Sequence, residues 1–541
     1  MLNKNDIVTI EITGTTSEGN GVGKYDGMAI FVPLSAIGDK LNVKITKVLK
    51  SYCFGIIESI ILPSPDRIEE DCPVFLKCGG CSFRHISYES ELNIKSDFIK
   101  DSFKKIGKFD LSYEDILGCT ETEHYRNKAQ YPVAQQDGQA VCGFYSKRSH
   151  RVIPFTGCKL QPAVFRDIVD FIMNYINLNK ISGYDEVSGA GILRHIYIRQ
   201  GYHSKEIMLC FIVNKPCKEL LIPLCEQLSK EFPEIKSFVM NINSQNTNVI
   251  MGEKNKTLLG KDCIYDIMCG NKISLSPHSF YQVNTEQAEK LYGIAAEYAN
   301  LSGSETVMDL YCGAGTIGLS VADKARGILG VEVIPQAIEN AKENALNNNI
   351  TNADFICDDA GNAAKKLSET QKPDIVIVDP PRKGCDNNTL EAIIKMNPTK
   401  VIMISCNPAT AARDCKFLSE NGYEIERIRG VDLFPRTTHV ETVVLLSKLH
   451  SDQHIDIELN TDELDLTSVE SKATYDEIKA YAKEHSGLSV SSLYIAQVKE
   501  KCGIIERENY NKAKTEDAKQ PKCPKDKEKA IIDALKYFKM I

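Results

Sequence analysis

The feature that most constrains the fold lies between residues 306 and 384, where acidic side chains recur at the ends of short apolar runs. Thr306-Val307-Met308-Asp309-Leu310-Tyr311 reads as a buried strand, followed by the glycine-bearing turn Cys312-Gly313-Ala314-Gly315-Thr316-Ile317-Gly318 opening a helix. Glycines at such a turn permit a tight bend and close approach of backbone to a ligand. A second run, Ile328-Leu329-Gly330-Val331-Glu332, ends in a carboxylate able to accept two ribose hydroxyls. A helix is predicted over 335–347, a third strand ending at Asp358 and Asp359, and a fourth, Asp374-Ile375-Val376-Ile377-Val378, with Asp379 at its tip. Strand–helix alternation of this kind predicts an α/β sheet whose ligands bind beyond the carboxyl ends of its strands. A single acid there is readily a helix cap, whereas four in step point to a cofactor.

The next apolar run is Val401-Ile402-Met403-Ile404, which stops at Ser405-Cys406-Asn407-Pro408. Its β-branched character suits a strand buried on both faces, and Pro408 cannot extend the pairing. Cys406 is therefore expected at the carboxyl end of a strand, although a lone cysteine is as readily a small buried hydrophobe. The N-terminus lacks an apolar core of signal-peptide length, and no run of about 18 apolar residues occurs, so a cytoplasmic chain without a membrane span is expected. In that setting 19 cysteines suggest reduced thiols, metal ligation or catalysis instead of a disulfide framework.

With 541 residues, the chain exceeds one core. Residues 6–61 alternate apolar and polar side chains around a glycine-rich turn at 19–23, the pattern of a small antiparallel barrel. Gly19-Asn20-Gly21-Val22-Gly23-Lys24, with Val32-Pro33 after it, resembles the TRAM domain, an OB-like module that contacts RNA in its family. Next, Cys72, Cys78 and Cys81 follow the spacing C-x5-C-x2-C. Three thiols so close form a soft-metal site short of one ligand, for which Cys158 is the candidate; zinc would accept the set as well as an iron–sulfur cluster would. A helix is predicted over 86–107, then a mixed α+β region to about 275. Within it, His124-Tyr125-Arg126-Asn127-Lys128 and Gly143-Phe144-Tyr145-Ser146-Lys147-Arg148 combine cations for phosphates with aromatics for splayed bases.

The net charge of −8 conceals polarity along the chain. Residues 451–470 carry seven acids and no Lys or Arg, and residues 471–541 carry 15 Lys and Arg against 11 Asp and Glu.

The thiol decides the acceptor atom. Asp379-Pro380-Pro381 also suits an adenine-N6 methyltransferase, but that chemistry needs no cysteine. A pyrimidine C5 is too weak a nucleophile to take a methyl group from a sulfonium. Thiolate addition at C6 activates it, and a base must afterwards remove the C5 proton. Cys406 and Glu441, the latter in Phe434-Pro435-Arg436-Thr437-Thr438-His439-Val440-Glu441-Thr442, supply such a pair.

Together with Ser276-Pro277-His278-Ser279-Phe280-Tyr281-Gln282-Val283-Asn284 and Asp379-Pro380-Pro381-Arg382-Lys383-Gly384, these motifs closely resemble the RNA uracil-5-methyltransferase family over about residues 1–448. The TRAM-like barrel and four cysteines are similar to the branch acting on 23S ribosomal RNA. The resemblance implies a class I S-adenosylmethionine-dependent (Rossmann-like) domain, with Gln282, Tyr311, Glu332 and Asp379 binding S-adenosylmethionine. It implies Cys406 as nucleophile, Glu441 as base, and Cys72, Cys78, Cys81 and Cys158 as ligands of a [4Fe–4S] cluster. The expected layout is a barrel over 1–62, a central α+β iron–sulfur domain over 63–275 (its helix 86–107 packing on the catalytic domain), and a methyltransferase domain over 276–448. An acidic linker over 449–470 and a partly helical appendage over 471–541, which the core family lacks, complete it. A monomer is expected, with transfer RNA as the alternative substrate and a non-catalytic RNA-binding scaffold as the competing class; added ribosome or RNA affinity is the expectation for the appendage.

Overall fold

The computed structural model describes residues 2–370, 372–449, 475–502, 523–538 and 540, divided between two compact units, Met1–His450 and Ser451–Ile541. The acidic stretch expected to be a linker lies outside the described residues, apart from Leu449.

Five strands, Ile7–Thr15, Asn20–Tyr25, Met28–Pro33, Lys40–Val48 and Tyr52–Leu62, close into a barrel. Alternate residues point inward, so Val8, Ile10, Ile12, Ile30, Val32, Leu41, Val43, Ile45 and Cys53 fill it. Closure leaves no open sheet edge along the barrel wall.

A seven-stranded sheet follows, ordered Lys254–Gly260, Ile235–Ile242, Ile207–Val213, Leu193–Gln200, Lys128–Gln136, Gln139–Tyr145, Val152–Pro154. Leu193–Gln200 and Ile207–Val213 are buried almost throughout. On one face the core includes Phe165, Ile172 and Leu224 from the helices Ala163–Leu178 and Lys218–Glu231. On the other, Tyr197, Met208, Cys210 and Ile212 share a core with Ile264, Leu291, Val307, Ile377 and Ile404. The two layers are therefore built on common apolar side chains.

The third sheet has eight strands, ordered Ala353–Cys357, Gly327–Glu332, Thr306–Leu310, Ile375–Val378, Lys400–Ser405, Glu441–Lys448, Tyr423–Val431, Glu114–Leu117. The first five run parallel, and Glu441–Lys448 is antiparallel to both its neighbours. Its edge strand, Glu114–Leu117, comes from the segment before the central sheet and pairs with Tyr423–Val431. The helix expected over 86–107 is α-helical over Tyr88–Ser102, capped by the Ser87 hydroxyl accepting from Ser90 N at 3.2 Å. It ends in a wide π-helical turn, Phe103–Gly107, closed by left-handed Lys108. Ile99 and Phe103 pack into the same core as Val401, Met403 and Ile428, which seats the helix against the catalytic sheet.

One expectation is corrected here. The third parallel strand stops at Cys357, and Asp359 caps the helix Ala360–Leu367 by accepting from Asn362 N at 3.1 Å. Asp358 pairs with Lys366 at 2.8 Å, so both acids have local partners.

Candidate active site

Three acids remain along neighbouring strands. Asp309, within Thr306–Leu310, is fully buried; its Oδ2 accepts from Gly318 N at 2.9 Å, while Oδ1 finds no partner. Burial pushes its carboxyl up to about 7. Glu332, at the tip of Gly327–Glu332, accepts from Gly313 N at 3.2 Å and Ile334 N at 3.0 Å. Each of its oxygens therefore has one lone pair committed to backbone and another to offer. Asp379 follows Ile375–Val378, and burial raises it to about 7.

The turn between these tips is conformationally demanding. Tyr311, Gly313 and Gly315 have φ of 67°, 54° and 80°. Left-handed geometry at a bulky non-glycine residue costs of order 1 kcal/mol or more, and such strain clusters at ligand sites. Tyr311 is held there by its hydroxyl, 3.2 Å from Thr389 Oγ1. At Gly315 a side chain would be strained by the positive φ and would place its Cβ 3.1–3.2 Å from Phe355 and Ala341, tighter than ordinary contact. Gln282 lies in the loop leading to the helix Thr285–Ala299, and its carbonyl accepts from Asn127 Nδ2 at 2.8 Å.

Cys406 and Glu441 are brought together by the antiparallel pair. Ser405 is in register with Thr442, so Cys406 and Glu441 stand opposite each other one position beyond the ladder. Their electrostatics record the proximity. Burial, then Glu441 and Asp379, push the Cys406 thiol up to about 11, and Arg382 opposes them. Burial, then Asp379, push Glu441 up to about 8, again opposed by Arg382. Arg382 donates to His439 Nε2 at 3.2 Å, and burial, then this cation, lower the His439 pKa. Asn407 Nδ2 donates to the Arg382 carbonyl at 3.0 Å.

The loop 432–440 that delivers Glu441 is fastened by a buried charge cluster. Lys95 Nζ lies 2.7 Å from both Glu91 and Asp432, with all three side chains fully buried. Tyr88 donates to Asp432 at 2.8 Å, Arg436 N to Glu91 at 2.7 Å, and Lys95 to the Phe434 carbonyl at 3.2 Å. Cys406 opens on a cleft of about 610 Å³ lined also by Thr15, Thr16 and Ser17 of the barrel, by Phe98 and Lys105, and by Thr438 and His439. Reasoning from sequence left Arg382 and His439 without roles, although both sat inside motifs already recognised; the charge of Arg382 beside Asp379 was the available signal.

Residues 224–449 match the family model described as tRNA (Uracil-5-)-methyltransferase, and residues 2–57 match the TRAM domain. An "Uncharacterized RNA methyltransferase" of Halalkalibacterium halodurans is 43% identical over 453 residues, covering 82% of this chain and 98% of that protein. The chain belongs to the RNA uracil-5-methyltransferase family. A relative of the same description from Clostridium tetani is 41% identical over 448 residues, covering 82% of this chain and 97% of its own length. The tRNA (uracil-54, C5)-methyltransferase of Pyrococcus abyssi, solved with S-adenosyl-L-homocysteine, superposes with a TM-score of 0.65 at 25% identity over 81% of this chain and all of that one. This chain is thus an S-adenosylmethionine-dependent RNA uracil-5-methyltransferase with an N-terminal TRAM domain, which removes the non-catalytic scaffold as a reading.

In this methyltransferase Cys72, Cys78, Cys81 and Cys158 come together from two distant segments to line one cavity of about 260 Å³, with Phe75, Arg84 and Phe144 among its walls. Burial pushes the Cys81 thiol up to about 12 and raises Cys78 and Cys158, and the thiols raise one another. Yet among the described residues no three His, Cys, Asp or Glu side chains are arranged to hold a metal ion. The expected metal centre is therefore not borne out among the described residues. No helix among the described residues is long and apolar enough to cross a membrane.

Proposed function

We propose that this methyltransferase modifies C5 of a uridine in 23S ribosomal RNA, with Cys406 as nucleophile and Glu441 as base. The observation carrying the reading is that Cys406, which lines an open cleft, stands opposite the buried Glu441, both within electrostatic reach of Asp379. Gln282, Tyr311, Glu332 and Asp379 would hold S-adenosylmethionine, which supplies a methyl group activated on a sulfonium. The unpaired Asp309 oxygen and the uncommitted lone pairs of Glu332 fit a polar ligand there.

On the protein's side, Cys406 Sγ bonds to uracil C6 and its proton passes to water in the cleft. The C5–C6 π pair moves toward O4, which makes C5 electron-rich. Once C5 carries the methyl group that bound S-adenosylmethionine would supply, C5 is saturated; Glu441 then accepts the C5 proton, the released pair re-forms C5=C6, and the C6–S pair leaves on the Cys406 thiolate. Arg382 lowers the pKa of both groups and is the residue that favours their ionised forms. Extruding the uridine costs a few kcal/mol, least for a loop nucleotide.

Cys406→Ala is expected to abolish the covalent adduct with RNA carrying 5-fluorouridine, and an adduct that survives removes Cys406 as nucleophile. Ribosomal RNA is supported by the likeness of the TRAM-like barrel and the four cysteines to the 23S branch, whereas the Pyrococcus abyssi neighbour is named for transfer RNA. Mass mapping of both RNAs from cells lacking the gene separates the two: loss of a methyluridine from transfer RNA alone sinks the ribosomal assignment.

For Cys72, Cys78, Cys81 and Cys158 we propose a [4Fe–4S] cluster: the reading rests on the likeness of these cysteines to the cluster-bearing branch of the family, and all four line one cavity. Anaerobically purified protein is expected to contain iron and acid-labile sulfide, both lost in Cys81→Ser. Stoichiometric zinc without sulfide would reverse this assignment.

A further inference from the structure

Neither family model reaches past residue 449, yet the described part of residues 475–540 has a core of its own. Helices Tyr475–Ser486, Ser492–Lys501 and Lys525–Tyr537 bury Ile478, Ala482, Ile495, Val498, Ile531 and Leu535 against one another. A unit this small has few apolar side chains to spare. It nevertheless leaves a stack of rings at its surface. Tyr481 and His485, one helical turn apart, stack at 4.0 Å with 13° between their planes. Tyr537 continues the stack 4.5 Å from Tyr481, inclined by 31°, and Phe538 meets it edge-on at 5.1 Å. Tyr537 is 64% exposed. The rings of Tyr481, His485 and Tyr537 line a cleft of about 460 Å³ whose remaining wall includes Ser486, Asp533 and Lys536.

We propose that this cleft binds a nucleobase of single-stranded RNA. Every base offers a π-face to an aromatic platform whatever its sequence. Lys536 is placed to neutralise a phosphate, and Asp533 to accept from an exocyclic amine or a ribose hydroxyl. The surplus of 15 Lys and Arg over 11 Asp and Glu across residues 471–541 adds the nonspecific attraction that backbone binding needs. A protein partner would favour an apolar groove, and this one is rimmed by a cation, an anion, a hydroxyl and an imidazole. The unit then acts as a second hold on the substrate, raising affinity by tethering without touching the chemistry. The proposal rests on the methyltransferase reading only for the identity of the polymer.

The chain contains no tryptophan, so Tyr537→Trp in the full-length protein places a single indole in the cleft. Saturable quenching by short single-stranded oligoribonucleotides of mixed sequence is expected, and it should persist in a Cys406→Ala background, which separates this contact from catalysis. Tyr537→Ala is expected to weaken binding of those strands about 5- to 150-fold; Tyr537→Phe should restore it, and kcat at saturating RNA should not change. Lys536→Ala should reduce the salt dependence by about one ion. The proposal is overturned if the indole emission is indifferent to single strands, if only duplex RNA quenches it, or if Tyr537→Ala binds as tightly as the parent while circular dichroism shows its helices intact.

Discussion

Glu441 is the most informative side chain to perturb, because the site that uses it also makes it costly to hold. Burial and the neighbouring Asp379 carboxylate raise its pKa from an ordinary 4.5 to about 8. Below 4.5 the carboxyl is protonated in both folded and unfolded chains and contributes nothing to pH dependence. Between 4.5 and 8 the unfolded chain ionises and the folded one resists, so stability is lost as pH rises; above 8 the loss levels off. At about 1.4 kcal/mol per pH unit the ceiling is roughly 5 kcal/mol. Part of that ceiling depends on Asp379, itself raised to about 7, so a difference of roughly 2–5 kcal/mol is expected. Glu441→Gln keeps the shape and removes the charge. Urea unfolding of the parent and Glu441→Gln, compared at steps from pH 4.5 to 9 without RNA, should give matching midpoints at the acid end. The variant should become steadily more stable toward pH 8 and hold that lead above it. Parallel curves across the range would refute the claim that the protein carries a desolvated carboxyl at this position, and with it the electrostatic account of the Cys406 pair.

Other consequences concern rate, packing and backbone. Because a proton acceptor must be ionised, kcat/KM should rise with pH through about 8, and Arg382→Met, which removes the cation that lowers both groups, should move that limb upward; a profile flat from pH 6 to 9 counts against Glu441 as base. Glu441→Gln with unmodified RNA should accumulate the enzyme–RNA adduct, detectable on denaturing gels, and its absence argues for another base. Lys95→Met leaves Glu91 and Asp432 facing each other in the interior and should cost about 3–5 kcal/mol, with the Glu441 loop more protease-sensitive; a neutral effect would mean the cluster tolerates an apolar replacement. Gly315→Ala, at φ 80° and with Phe355 and Ala341 in its path, should weaken binding of S-adenosylmethionine in calorimetry by at least tenfold, and unchanged affinity would separate this turn from the cofactor.

What could be read directly from the chain was whatever a short stretch encodes by itself. The alternation over Val8, Ile10 and Ile12 lies within one strand, and the barrel followed from it. Asp309, Tyr311 and Gly315 share a single strand–turn–helix unit, so their spacing carried their geometry. Asp358 and Asp359 follow the same spacing, yet one pairs with Lys366 and the other caps a helix, partners that only the folded chain reveals.

Tertiary structure decided everything that depends on segments meeting. Cys406 and Glu441 are 35 positions apart and face one another because Glu441–Lys448 inserts antiparallel between Lys400–Ser405 and Tyr423–Val431; no local pattern states that register. The helix Tyr88–Ser102 grips the Glu441 loop through Lys95, more than 300 positions away, and the barrel reaches the same cleft with Thr15, Thr16 and Ser17. The shifted acidities of Cys406, Glu441 and Asp379 have the same origin, since desolvation and charge proximity arise only when distant residues are packed together. Sequence alone determined which chemical groups this methyltransferase possesses; folding decided which of them share a cleft and with what proton affinity they meet there.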